Sequence, residues 1–149
     1  MITLKNIAVP QIDDSEIKIH KNNSKDLIVK YFNDVNTVSQ KYFSQSFANT
    51  IPQTIQSSNA EGISDLSKRA NAIVTELKSL EVPSDALQLH KDLIGIFELM
   101  PQISNLPPQS SLDNVNDQKS NQWYDKTQAY MYLAQQYDIE IKRLSIKYK

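Results

Sequence analysis

The spacing of apolar residues between positions 63 and 80 constrains the fold of this chain more than any other feature of its sequence. Alternating steps of three and four residues separate Ile63, Leu66, Ala70, Ile73, Leu77 and Leu80. This period places them on one side of an α-helix, in a seam typical of helices that pack side by side. Such a helix depends on neighbours that cover its apolar side, so the rest of the chain should supply them.

Three further segments carry helical patterns, and together they predict an all-α fold, an antiparallel four-helix bundle over residues 24–149. Ser24 suits the start of the first helix, because its hydroxyl accepts backbone N–H bonds in that position. The short link at Val82 and Pro83 favours antiparallel neighbours for the second and third helices. We expect helices at about 24–50, 60–81, 84–104 and 121–143.

The two ends of the chain carry weaker signals. Residues 1–23 show no sustained period and are interpreted as an extended leader or stalk. Within it, Ile17 and Ile19 alternate with polar neighbours, which suits a short edge strand. The segment 139–148 leans toward a two-residue period, so a short extended tail is an alternative to helix beyond residue 143.

Proline marks three places along the chain. Pro52 and Pro101 predict a kink or an end in the helices that contain them, because proline lacks the N–H of the helical hydrogen bond. The polar, proline-bearing segment 105–120 is long for a bundle connection. We expect it to be a variable contact surface.

Composition excludes several classes of protein. The chain has no cysteine, which excludes disulfides, thiolate catalysis and iron–sulfur clusters. Its two glycines, Gly62 and Gly95, cannot form a glycine-rich phosphate loop. The net charge of −1 does not suit a nucleic-acid partner, and the basic residues of segment 142–149 lie beside acidic ones.

A short pattern in the middle of the chain resembles uncharacterised bacterial extracytoplasmic helical-bundle proteins. In this pattern Leu80-Glu81-Val82-Pro83 ends one helix, His90 opens the next, and Tyr130 belongs to the last. The resemblance implies a periplasmic or cell-surface location and a membrane tether upstream of residue 1, with Met1 as a truncated start. A cytoplasmic location is the alternative, and the resemblance implies no reaction.

His90 is the sharpest candidate for chemistry. Histidine-phosphotransfer domains expose a histidine in mid-helix, with a small residue four positions later that lets the partner approach. Here Gly95 is five positions later, and Asp92 would repel a phosphate. The favoured interpretation is a packed histidine that donates to a backbone carbonyl, with a phosphoacceptor as the alternative.

Aromatic residues offer two kinds of surface. Helical spacing favours a core position over a ligand groove for one set: Tyr31, Phe32, Tyr42, Phe43, Trp123, Tyr130 and Tyr137. Tyr124 and Tyr132 fall off the main seam of the last helix and are candidate partner contacts, since tyrosine is enriched at interface hot spots.

No catalytic group or cofactor site is predicted. The Glu-x-x-His repeats of di-iron bundles do not occur, and a haem would need His90 with Met131 from different helices. We therefore expect no cofactor and no metal. The carboxylates lie mostly outside the apolar stripes, so burial that would perturb their pKa values is not expected at Asp65, Glu76, Glu81, Asp85, Asp92 and Glu98.

These observations favour a non-enzymatic helical bundle that acts through contact with an unidentified protein partner. Two alternatives stay open. One is a cytosolic phosphotransfer module that uses His90, and the other is a carrier that holds a small ligand in a tyrosine-lined groove.

Overall fold

Helices make up most of the computed structural model, which describes residues 9–57, 60–104 and 118–149. The expectation of a helical protein is confirmed at this level, but one small parallel sheet of two strands accompanies the helices. The helices are α1 (Lys25–Tyr42), α2 (Gln45–Ala48), α3 (Ile51–Gln56), α4 (Ala60–Ser79), α5 (Leu87–Ser104) and α6 (Gln118–Lys147). The strands are β1 (Lys18–His20) and β2 (Glu81–Pro83).

The first predicted helix, 24–50, is divided into shorter pieces. The hydroxyl of Ser24 accepts the N–H of Leu27 at 3.2 Å and caps α1 as expected. The hydroxyl of Ser44 accepts the N–H of Phe47 in the same way and begins α2, which interrupts the expected continuous helix. Pro52 is the second residue of α3, where its missing N–H costs no helical bond, so it does not end the helix that contains it.

The third predicted helix, 84–104, ends at the expected residue, and the fourth is longer than expected. α5 continues through Pro101 to Ser104, so an end at this proline is wrong. α6 begins at Gln118 and reaches Lys147, so the extended tail is also wrong. The segment 105–117 lies outside the described residues.

Contacts with Asp85 explain why the end of α6 stays helical. Its carboxylate accepts hydrogen bonds from Lys147 Nζ at 2.6 Å and from the Tyr148 hydroxyl at 2.5 Å. Its backbone carbonyl accepts one from Arg143 at 2.6 Å. The bonds from Lys147 and Tyr148 lower the pKa of Asp85 below its usual value. The C-terminal turn of α6 is therefore tied to the start of α5.

The small sheet joins the N-terminal segment to the link between α4 and α5. β1 and β2 are parallel, with Ile19 opposite Val82. The edge strand predicted near Ile17 and Ile19 is present, but its partner β2 occupies residues where the sequence predicts a helix end and a turn. Ile17 and Val82 are both buried, so this part of the predicted leader packs within the helical domain.

Two groups of buried residues form the core. The larger one joins α1, α4, β2, α5, the end of α6 and the residues just before β1 and α5. Its members are Ile17, Ile28, Tyr31, Val35, Val38, Ile73, Leu77, Val82, Ala86, Leu89, Leu93, Ile94, Phe97 and Leu144. The smaller one lies between α5 and α6 and consists of Ile96, Leu99, Ala129 and Leu133. The seam predicted for the second helix is confirmed, because its central residues are buried.

Gly95 sets how closely α5 and α6 approach. A Cβ atom on this residue would lie 2.8 Å from Leu133 Cδ1, well inside van der Waals contact. The glycine therefore leaves room for a leucine of the facing helix.

We expect Gly95→Val to lower the free energy of unfolding by about 1–3 kcal/mol, because the added methyl groups overpack the contact with Leu133. Urea denaturation measures the change. In a Leu133→Ala background the same substitution should cost clearly less, since the colliding atoms are gone. An equal cost in both backgrounds would contradict this account of the glycine.

Candidate functional site

His90 lies where three helices meet, and it is fully buried. Its Nε2 is 2.8 Å from the carbonyl oxygen of Leu77, near the end of α4, and its Nδ1 is 2.9 Å from the hydroxyl of Tyr31 on α1. The Tyr31 ring packs edge-on against the imidazole with 5.5 Å between centroids. His90 therefore links α1, α4 and α5 through hydrogen bonds.

These hydrogen-bond partners determine the tautomer of the His90 imidazole. A carbonyl oxygen only accepts, so Nε2 carries the proton and donates it to Leu77. Nδ1 then accepts from the Tyr31 hydroxyl. Burial lowers the pKa of His90, because it disfavours the charged ring, although the bond to Leu77 acts in the opposite direction. Both ring nitrogens are engaged inside the protein, which does not favour a phosphoryl group on His90.

Two ion pairs hold the N-terminal segment against the helices. Asp14 pairs with Lys91 of α5, and Glu16 pairs with Lys78 of α4 at 3.0 Å. The backbone N–H of Asp13 also donates to the Glu16 carboxylate, and these contacts lower the pKa of Glu16. Residues 9–12, which precede this anchor, are thereby placed beside α5 and α6.

A cleft of about 420 Å³ lies between the N-terminal segment, α5 and α6. We call it the Asp92 cleft. One wall consists of residues 9–12, and the others are formed by Gln88, Lys91 and Asp92 of α5 and by Tyr132, Leu133 and Gln136 of α6. The volume falls within the range of small-molecule sites.

Asp92 is the unusual residue of this cleft, since only 3% of it is exposed. Its Oδ1 accepts a hydrogen bond from Gln88 Nε2 at 2.9 Å, whereas its Oδ2 has no hydrogen-bond partner among the described residues. Burial raises the pKa of Asp92 to about 6, and the nearby charge of Glu140 acts in the same direction. The expectation that this carboxylate lies unburied is wrong.

The sequence does contain a signal for this burial. α5 is buried on all sides from Leu89 through Phe97, Lys91 apart, because the apolar run 93–97 leaves no solvated face. A carboxylate directly before that run on a helix of this kind has to be covered by neighbours. A helix with a single apolar stripe would leave Asp92 in solvent, whereas this helix has no such solvated side.

The two candidate contact tyrosines lie in different places. Tyr132 is half-buried, packs against the smaller core cluster and lines the Asp92 cleft. Tyr124 is exposed nearer the start of α6, in line with Met131, Ile139 and Ile146, which are also exposed. Steps of seven, eight and seven residues keep these four side chains on one side of the helix. We call this set the α6 outer face.

The remaining aromatic and basic residues have structural partners. Six of the seven aromatic residues proposed as core or groove are buried or half-buried, and the side chain of Trp123 lies outside the described residues. In the basic segment 142–149, Lys142 pairs with Asp138 at 2.9 Å, and Arg143 and Lys147 bind Asp85. These contacts account for three of the cations that could otherwise face an anionic partner.

No protein-family model, curated protein or solved structure that we compared matches this chain. Over the described ranges, no group of three or more histidine, aspartate or glutamate residues is arranged to hold a metal ion. No helix within those ranges combines the length and the apolar character needed to cross a bilayer. The resemblance to extracytoplasmic bundle proteins stays a prediction from the sequence.

We expect Tyr31→Phe to lower the free energy of unfolding by about 1–3 kcal/mol, because His90 Nδ1 would lose its donor inside the core. Chemical denaturation at pH 8 measures the loss. Tyr124→Phe is the matched control, since that hydroxyl lies on an exposed ring and its removal should change stability by less than about 0.5 kcal/mol. Equal effects of the two substitutions would refute the assigned role of Tyr31.

Asp92→Asn should stabilise the protein at pH 8 by up to about 3 kcal/mol. The pKa of Asp92 is raised in the folded state, so folding binds its proton more tightly. Its contribution to stability is therefore greatest below about pH 4 and is lost as the pH rises through 6. Asparagine resembles the protonated carboxyl, so the gain should nearly vanish at pH 4.

Denaturation of both variants across pH 4–8 tests this dependence. Asp125→Asn is the control, because Asp125 is exposed on α6 and should show no comparable gain. A destabilised Asp92→Asn variant at pH 8 would contradict the assignment.

Proposed function

We propose that this protein is a non-enzymatic helical bundle that acts by binding another protein through the α6 outer face. The observation that carries the proposal is the distribution of exposed apolar side chains. Six large hydrophobic side chains are exposed among the described residues, and four of them form the α6 outer face. Single exposed apolar residues are common on soluble proteins, but four of them aligned along one side of a single helix favour an interaction surface.

The shape of this surface favours one kind of partner. Tyr124 and Ile146 are 22 residues apart, which corresponds to about 33 Å along a helix. One narrow helical row offers less than the roughly 800 Å² per partner that stable interfaces bury. A partner with an apolar groove that receives the helix covers more of its circumference than a second copy of the same row. We therefore propose a groove-bearing protein as the occupant.

The antiparallel arrangement of four long helices is part of the proposal. It is supported by the short link between α4 and α5 and by two contacts at opposite ends of the α5–α6 pair, Arg143 with Asp85 and Lys126 with Gln102. The connection of α3 to α4 and that of α5 to α6 run through undescribed residues. An extracytoplasmic location likewise stays a proposal, supported by the pattern at residues 80–90 alone.

Replacement of one apolar residue on the α6 outer face tests the surface directly. Ile139→Lys should abolish capture of the partner by the full chain, because a charge would enter the apolar groove. Val29→Lys is the matched control: Val29 is 48% exposed on α1 and Ile139 is 55% exposed on α6. Both substitutions should change the free energy of unfolding by no more than about 0.5 kcal/mol.

Cross-linking in cells of the source organism, followed by purified binding assays, provides the measurement. Loss of binding with Ile139→Lys and full binding with Val29→Lys would support the proposal. Equal binding by both variants would refute the surface. If the wild-type chain dimerises and Ile139→Lys abolishes the dimer, a second copy of the chain, not a groove-bearing partner, occupies the α6 outer face.

A further inference from the structure

The Asp92 cleft carries an inference that is independent of the α6 outer face. A buried carboxylate destabilises a protein unless it is paired or bonded, because it loses the hydration of its charge. Asp92 has one hydrogen bond, from Gln88, and one oxygen without a partner among the described residues. Such a group at the wall of a cleft is suited to a ligand that supplies the missing donor.

The charges around the cleft indicate the sign of the charge that a ligand should carry. Lys91 lines the same cleft, but Asp14 already pairs with it. Glu140 is near enough to raise the pKa of Asp92, and it is bonded to Arg143 at 2.5 Å. Within each pair a positive and a negative charge cancel. Asp92 is therefore the charged residue of the cleft that has no opposite charge beside it among the described residues. A cation would neutralise it, whereas an anion would be repelled.

The other walls of the cleft indicate the chemistry of the uncharged part of the ligand. Val9, Pro10, Ile12 and Leu133 offer apolar contact, and Gln11 and Gln136 offer amides to polar substituents. The ring of Tyr132 also lines the cleft, and aromatic faces attract organic cations. One buried carboxylate does not provide the ligand set of a metal ion.

We propose that the Asp92 cleft binds a small organic cation, a primary ammonium or guanidinium group on a short apolar body, with Asp92 as its counter-ion. The positive charge of the cation lies beside Asp92, and a shift of the side chains that cover the unpartnered oxygen lets the N–H groups donate to it. Its hydrocarbon portion lies between the N-terminal segment and α6. The amide of Gln88 keeps Asp92 in place by holding its other oxygen.

Titration of the full chain with butylammonium, followed by amide NMR shifts, tests this site. We expect saturable shifts concentrated at Gln88, Asp92 and Gln136. Neutral 1-butanol is the matched probe, with a similar body and no charge, and should bind at least tenfold more weakly. Binding of butylammonium should be about tenfold weaker at pH 5 than at pH 7.5, because Asp92 is then mostly protonated.

Two variants and one control distinguish a loss of the binding site from a loss of the folded structure. Asp92→Asn should weaken butylammonium binding at least tenfold at pH 7.5, although we expect it to be the more stable protein. Gln136→Trp should also weaken binding, because the larger ring fills the cleft without changing Asp92. Asp125→Asn removes an exposed carboxylate elsewhere on α6 and should leave binding unchanged.

Several results would overturn the proposal. Absence of shifts at the cleft with tens of millimolar butylammonium would do so, as would equal binding of 1-butanol. Unchanged binding by Asp92→Asn would show that another group holds the cation. Acetate shifts at the same amides would show that Lys91 is the binding group and that the cleft takes anions.

Discussion

Burial of α5 on almost every side is the constraint on which the rest of the structure depends. α1, α4, α6 and the N-terminal segment cover the middle of this helix, so a polar side chain buried there must find its partners inside the protein. His90 does so completely, through Leu77 and Tyr31. Asp92 does so only in part, through Gln88. Gly95 lets α6 approach closely enough to close the remaining side. The Asp92 cleft is therefore the place where one buried polar side chain of α5 lacks a full set of hydrogen bonds.

The two buried ionisable groups of α5 act on stability in opposite directions near pH 6. The pKa of His90 is lowered, so its contribution is present above about pH 6.5 and is lost as the pH falls below that value. The pKa of Asp92 is raised, so its contribution decreases as the pH rises through 6. The effects partly cancel in the wild-type chain. A flat pH profile of stability would thus conceal two opposed dependences, one from His90 and one from Asp92.

Helix positions could be predicted from the sequence because burial of an apolar stripe imposes the three-four spacing, as at Leu66 to Leu77. The break after Tyr42 could not, since it depends on a competition between continued helix and the cap at Ser44. β2 was missed because three residues are too few to show a period, and pairing with β1 is a long-range event. His90 was predicted to donate to a carbonyl, which the contact with Leu77 confirms. The Asp92 cleft needs three separate segments, and no local pattern encodes their meeting.

The parallel pairing of β1 with β2 has a consequence for the order of folding. Its residues are about sixty positions apart in the sequence, whereas α4 and α5 are joined by a link of a few residues. Closing a long loop costs more entropy than joining neighbouring helices, so local helix pairs form early and distant pairings form late. We therefore expect the N-terminal segment to dock onto a helical assembly that already exists. Because that segment supplies one wall of the Asp92 cleft, we expect this cavity to form only in the last step of assembly.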